Sequence, residues 1–153
     1  MIWFRIDNRL IHGQIIEAWL PYLDAGVLVV ANDELAGDEI RQEIMRLAIP
    51  ERISAFFLSV KQAVQKYGEL NARNVSTLFL FNNCRDVLAM VEQGVAIGVV
   101  NVGNMHYATG KHQICQHVAA SDADLNCFDA LSGHGVELDF RCVPSDTPVL
   151  KEW

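Results

Sequence analysis

Short apolar, β-rich runs recur along this chain with segments of helical period between them, and that alternation limits the folds open to it. The runs are Ile2 to Ile6, Val27 to Val30, Ala55 to Leu58, Leu78 to Phe81, Ile97 to Val102 and Val136 to Phe140. Continuous apolar runs of this kind are expected where both faces of a sheet are covered, as in parallel α/β folds. Between them, Ile15, Ile16, Trp19, Leu20 and Leu23 form one helical stripe, and Val60, Ala63, Val64 and Tyr67 fit the i, i+3, i+4, i+7 template. Asn32-Asp33-Glu34 predicts a helix start with acidic residues at the positive end of the dipole, carried through Ile40, Ile44 and Leu47 to Pro50. Asn82-Asn83 predicts the cap of a helix running through Val87, Leu88 and Val91 to Gly94. A last helix is expected from Ser121 to Ser132, with Leu125, Phe128 and Leu131 on one side. With no repeat or linker in view, residues 1–153 read as a single three-layer α/β/α domain with a mainly parallel central sheet.

Charge and composition narrow the partners. Lys and Arg number 12 against 19 Asp and Glu, and the resulting net charge of −7 repels a phosphate backbone, which argues against nucleic acid. No apolar run approaches the roughly 20 residues of a membrane span. Met1-Ile2-Trp3-Phe4-Arg5 lacks the pattern of a signal peptide. The expectation is a cytoplasmic chain without direct membrane insertion. Cys84, Cys115, Cys127 and Cys142 are irregularly spaced with no C-x-x-C pair, so reduced thiols are expected.

The chemistry-bearing string is Arg5-Ile6-Asp7-Asn8-Arg9-Leu10-Ile11-His12-Gly13-Gln14, where a strand gives way to a polar loop and then a helix. Ligands bind at the carboxyl ends of strands in open α/β sheets, and a helix N-terminus offers unpaired N–H groups to an anion. Imidazole, with a reference pKa of about 6.5, is substantially unprotonated near neutrality and can accept a phosphoryl group. In that scheme His12 is the nucleophile, Arg9 stabilises charge on the transferring group, and Asp7 fixes the imidazole tautomer or orients Arg9. Composition alone favours a solvated, ion-paired turn instead.

The length of the string decides between these readings. Arg-Ile-Asp-x-Arg-Leu-Ile-His-Gly-Gln resembles the signature around the phosphorylated histidine of the mannose/fructose/sorbose-class IIB components of bacterial sugar phosphotransferase systems. The similarity continues in Val29-Val30-Ala31-Asn32-Asp33-Glu34, in Asn101-Val102-Gly103-Asn104-Met105 followed by Gly110-Lys111, and in Gly135-Val136-Glu137-Leu138. The resemblance implies a phosphotransferase component. It implies that His12 takes a phosphoryl group from a IIA phosphohistidine and donates it to a sugar bound by membrane IIC/IID subunits, which would hold the chain at the inner membrane face. It assigns Arg9 and Asp7 to the catalytic set and Gly13 and Gln14 to phosphate binding, with no metal or cofactor. Two positions depart from the pattern: Asn8 replaces a frequent second aspartate, and the Met105–Lys111 loop lacks an arginine often found before Gly-Lys.

Other readings compete. A regulatory module would keep the phosphorylation switch without completing transport. His112, Cys115 and His117 supply N and S donors for a soft metal, although no fourth ligand is evident. Gly98 and Gly103 fall short of a dinucleotide loop. Trp3, Trp19 and Phe56-Phe57 read as core, and Trp153 as a docking element or a disordered end.

Overall fold

In the computed structural model, which describes residues 1–147, the apolar runs become the strands of a six-stranded, wholly parallel sheet. In chain order the strands are β1 (Ile2–Asp7), β2 (Val27–Ala31), β3 (Ser54–Leu58), β4 (Thr77–Phe81), β5 (Val99–Asn104), β6 (His112–Cys115), β7 (Val118–Ala120) and β8 (Glu137–Asp139). The sheet runs β3-β2-β4-β1-β5-β8, and β6 with β7 forms a separate antiparallel pair. Every residue of β2 and β4 is buried, which accounts for their unbroken Val-Leu and Leu-Phe runs.

Helices α4 (Val60–Ala72), α5 (Cys84–Glu92) and α6 (Asp122–Gly133) cover one face. Their core includes Phe79, Phe81, Val87, Met90, Phe128 and Leu131, and each fully buried side chain of this size contributes about 1.5–3 kcal/mol. The caps follow the sequence: Asn83 accepts from the Asp86 N–H at 2.9 Å, and Ser59 and Ser121 close capping boxes with Gln62 and Asp124. The opposite face carries a π-helical turn (Ile15–Trp19), α1 (Leu20–Leu23), α2 (Asp33–Ala36) and α3 (Glu39–Arg46). These pack Leu10, Ile15, Trp19, Leu20, Leu23 and Leu35 over Leu28, Val30, Leu78 and Leu80. The result is the expected three-layer arrangement.

Two helical expectations need correction. The helix from Asn32 to Pro50 is two helices, because Gly37 ends the first and the Asp38 carboxylate caps the second by accepting from the Arg41 N–H at 3.1 Å. Ile40, Ile44 and Leu47 do not face the sheet; they are 75%, 63% and 88% exposed, and Met45 and Ile49 pack inward instead. The stripe at Ile15 begins as a π-turn, with the Leu20 N–H donating to the Ile15 carbonyl. Trp3 and Phe56 are half-buried rather than fully interior. The reading of Trp153 concerns a residue outside the described 1–147. Among the described residues no helix is long and apolar enough to cross a membrane.

Candidate active site

The chain leaves β1 toward one side of the sheet and leaves β5 toward the other, so the strand order reverses between their carboxyl ends. Such a switch point is where open α/β sheets bind ligands. The β1–β5 ladder slips by one residue between Ile6 and Asp7, pairing Asp7 with Asn104. The loop that follows is tied to β5 twice: the Asn8 N–H donates to the Asn104 carbonyl at 3.1 Å, and Asn104 Nδ2 donates to Asn8 Oδ1 at 2.7 Å. Asn8 thus has a local structural partner. Leu10 turns the loop at φ 58° and offsets that strained backbone by burying its side chain in the α1-side core.

Asp7 is the hub. Its fully buried carboxylate accepts from Arg5 Nη2 at 3.0 Å and from the Arg9 N–H, Nε and Nη2 at 3.1, 3.2 and 3.3 Å. It also meets His12 Nε2 at 2.8 Å. Burial pushes its pKa up, but the bonds from His12 and Arg9 and the charge of Arg5 outweigh it and hold the group below the usual carboxylate range. An ionised carboxylate only accepts, so Nε2 carries the hydrogen. The other ring nitrogen, Nδ1, receives only a long 3.3 Å contact from the Gln14 N–H. The imidazole is therefore held in one tautomer, with the Nδ1 lone pair on the side away from Asp7.

Behind this hub lies a residue the sequence reading passed over. Arg5 is 1% exposed, and its guanidinium donates to Asp7, to Asn101 Oδ1, and to the Arg141 and Cys142 carbonyls at 3.3 and 3.0 Å. The Trp19 ring stacks on it at 4.9 Å, and the Trp19 indole N–H donates to the Cys142 carbonyl at 2.9 Å. In the sequence it opens the signature string and stands as a charged residue inside an otherwise apolar run, with nothing to give it a role. The arrangement also explains Gly103, since a Cβ there would lie 1.9 Å from Arg5 Cζ. Gly103→Ala should therefore cost about 1–3 kcal/mol, the usual penalty of overpacking, read as a lower denaturation midpoint in urea.

The structure brings Asp7, Arg9, His12 and Gln14 into one hydrogen-bonded group, with Gly13 between His12 and Gln14 and no atom near its missing Cβ. Gln14 Oε1 is committed to Arg9 Nη2 at 2.9 Å and to the Cys142 thiol at 3.4 Å, so of Gln14 it is the backbone N–H that meets the imidazole. In the loop without arginine, Lys111 Nζ donates to the His106 carbonyl at 3.1 Å. The donors considered for a metal do not converge. His112 pairs with Asp122 at 3.1 Å, and no group of three or more His, Cys, Asp or Glu side chains suited to a metal occurs among the described residues.

The fold and the loop define a class: parallel α/β proteins that present an oriented imidazole at the switch point of the sheet. Residues 1–151 match the family described as the PTS system sorbose subfamily IIB component. The chain is 37% identical over 145 residues to the sorbose-specific EIIB component of Klebsiella pneumoniae, covering 95% of this chain and 88% of that one. It is 35% identical to the mannose-specific EIIAB component of Escherichia coli over 96% of this chain and 45% of that longer protein. The crystal structure of the N-acetylgalactosamine-specific IIB component 1 from Escherichia coli superposes with a TM-score of 0.92 at 31% identity, covering 99% of this chain and all of that one. The chain belongs to the sorbose subfamily of phosphotransferase-system IIB components, whose members carry phosphoryl groups in sugar transport. It is a phosphotransferase component, and the family implies IIA and IIC/IID partners.

Proposed function

We propose that His12 is the phosphoryl carrier, taking the group from a phosphohistidine on a IIA protein or domain and giving it to a sugar bound by membrane IIC/IID subunits. In enzymatic terms this makes the chain the sugar-side component of a protein-Nπ-phosphohistidine–sugar phosphotransferase, acting at the cytoplasmic face of the membrane. The observation that carries the reading is the pinned ring: Nε2 is held by Asp7 at 2.8 Å, leaving Nδ1 as the nucleophile.

In transfer, the Nδ1 lone pair attacks phosphorus, and the bond to the IIA imidazole breaks with its electron pair returning to that ring. His12 becomes cationic as the new P–N bond forms, and the Asp7 carboxylate offsets that charge. Arg9, with a third of its side chain exposed and its guanidinium fixed by Asp7 and Gln14, stands at the rim to meet the equatorial oxygens. The Gln14 N–H, released from Nδ1 by phosphorylation, becomes a donor to a phosphoryl oxygen, with the Gly13 N–H beside it. The transfer needs no metal or organic cofactor within this chain.

Incubation with phosphoenolpyruvate, the general phosphotransferase proteins and a cognate IIA should add one acid-labile phosphate to His12, located by peptide mapping. Heteronuclear NMR of the imidazole should place it on Nδ1. Phosphate on Nε2 would show that Asp7 does not hold the ring during transfer.

A further inference from the structure

The helical face away from the α1 side carries a second pair of reactive groups that the carrier chemistry does not use. Cys84 opens α5 directly after its cap Asn83, and Cys127 lies on α6, which packs alongside α5. Cys84 is 1% exposed and belongs to the core cluster, with half-buried Cys127 packed against it. The two thiols lie within hydrogen-bonding reach of each other. Cys127 also lines a surface cavity of about 480 Å³ together with Asn83, Arg85 and Asp124. One sulfur of the pair can therefore be reached from solvent, and the other sits behind it.

Their environments separate their roles. The hydrogen bond from Cys84 pulls the Cys127 thiol down, helped by the charge of Arg85, against burial and the opposing charges of Asp124 and Glu92. The same bond and burial push Cys84 up. A sulfur that can be reached from solvent beside a buried one is the arrangement of a peroxidatic and a resolving thiol. The other cysteines are placed differently: Cys142 is buried against Gln14 on the opposite side of the sheet, and Cys115 ends β6.

We propose that Cys84 and Cys127 form an oxidation site that closes to a disulfide when the chain meets hydrogen peroxide. The Cys127 thiolate attacks one peroxide oxygen; the O–O bond breaks, and the departing hydroxide takes the thiol proton as water. The resulting sulfenic acid is attacked by the Cys84 sulfur. The S–O bond breaks, and the second hydroxide leaves as water with the Cys84 proton. Two thiols lose two electrons, and one peroxide is reduced to two waters. The bond ties the start of α5 to the middle of α6 and leaves His12 untouched, so it stands independently of the carrier role.

The test treats the full chain with hydrogen peroxide and follows intact mass and peptide mapping without reductant. The expected product has lost two hydrogens, carries a cross-link between the Cys84 and Cys127 peptides, and reverts with dithiothreitol. Cys127→Ser should not form it, whereas Cys115→Ser should form it at the parent rate. In Cys84→Ser, Cys127 should remain a sulfenic acid long enough to be trapped by dimedone. Because replacing buried Cys84 can disturb the core, the parent and Cys127→Ser decide the question without it. Four alkylatable thiols after peroxide, or a cross-link mapping to Cys115 or Cys142, would overturn the proposal.

Discussion

His12→Gln should accept no phosphate from phosphorylated IIA while remaining folded. Removing the nucleophile of a covalent mechanism costs on the order of 10⁶-fold in rate, which places transfer below detection. The substitution breaks one hydrogen bond of the Asp7 hub and leaves the carboxylate with Arg5 and Arg9, so the loss of stability should be about 1 kcal/mol. Circular dichroism and thermal unfolding separate this outcome from misfolding. A His12→Gln protein labelled as well as the parent would mean that another residue carries the phosphate.

Asp7→Asn should be damaged in both fold and chemistry. Arg5 would lose its carboxylate while staying buried, and an ion left unpaired in this way costs about 3–5 kcal/mol. That is a large share of the roughly 5–15 kcal/mol by which a domain is stable. The cost depends on pH. Because the folded Asp7 pKa is depressed, its stabilisation is complete above the unfolded value of about 4 and is lost as pH falls below it. Urea midpoints of parent and variant should therefore stand apart at pH 7 and converge on acidification. Chemistry suffers separately. An asparagine amide can donate toward Nε2 and stabilise the tautomer with hydrogen on Nδ1, which blocks the nucleophile. An Asp→Asn change behind a catalytic imidazole has this effect on the scale of 10⁴-fold elsewhere. A constant gap between the urea midpoints across the acid range would show that Asp7 is not an ionised hub.

The sheet was legible because strands buried on both faces have no choice but apolar runs, and the π-turn and α3 were misread because periodicity reports a stripe without saying which way it points. Ile40, Ile44 and Leu47 have a helical period and face solvent, while Met45 and Ile49, outside that stripe, pack inward. At the site, type and spacing alone favoured a solvated turn, and it was the resemblance of the whole string to a family signature that singled out Asp7, Arg9 and His12, which the structure joins in one hydrogen-bonded group. Arg5 did not declare itself, because its partners Asn101, Arg141 and Cys142 are remote in sequence and two of them contribute only carbonyl oxygens. The pairing of Cys84 with Cys127 was hidden for a similar reason: helix packing brings them together, and no local motif marks it.

The fit of Arg5 against Gly103 bears on how such a chain can change over generations. A larger side chain at 103 has room only if the guanidinium leaves, and the guanidinium can leave only if Asp7 and Asn101 find other partners. Each single replacement crowds or strands a buried group, and Asp7 is held in place by His12 as well, so positions 5, 101 and 103 change at least cost together and around it. Positions 5, 101 and 103 should therefore be inherited as a block, and substitutions among them in related lineages should be correlated rather than scattered. In the laboratory the same linkage predicts that Gly103→Ala combined with Arg5→Met is less damaging than the sum of the two alone.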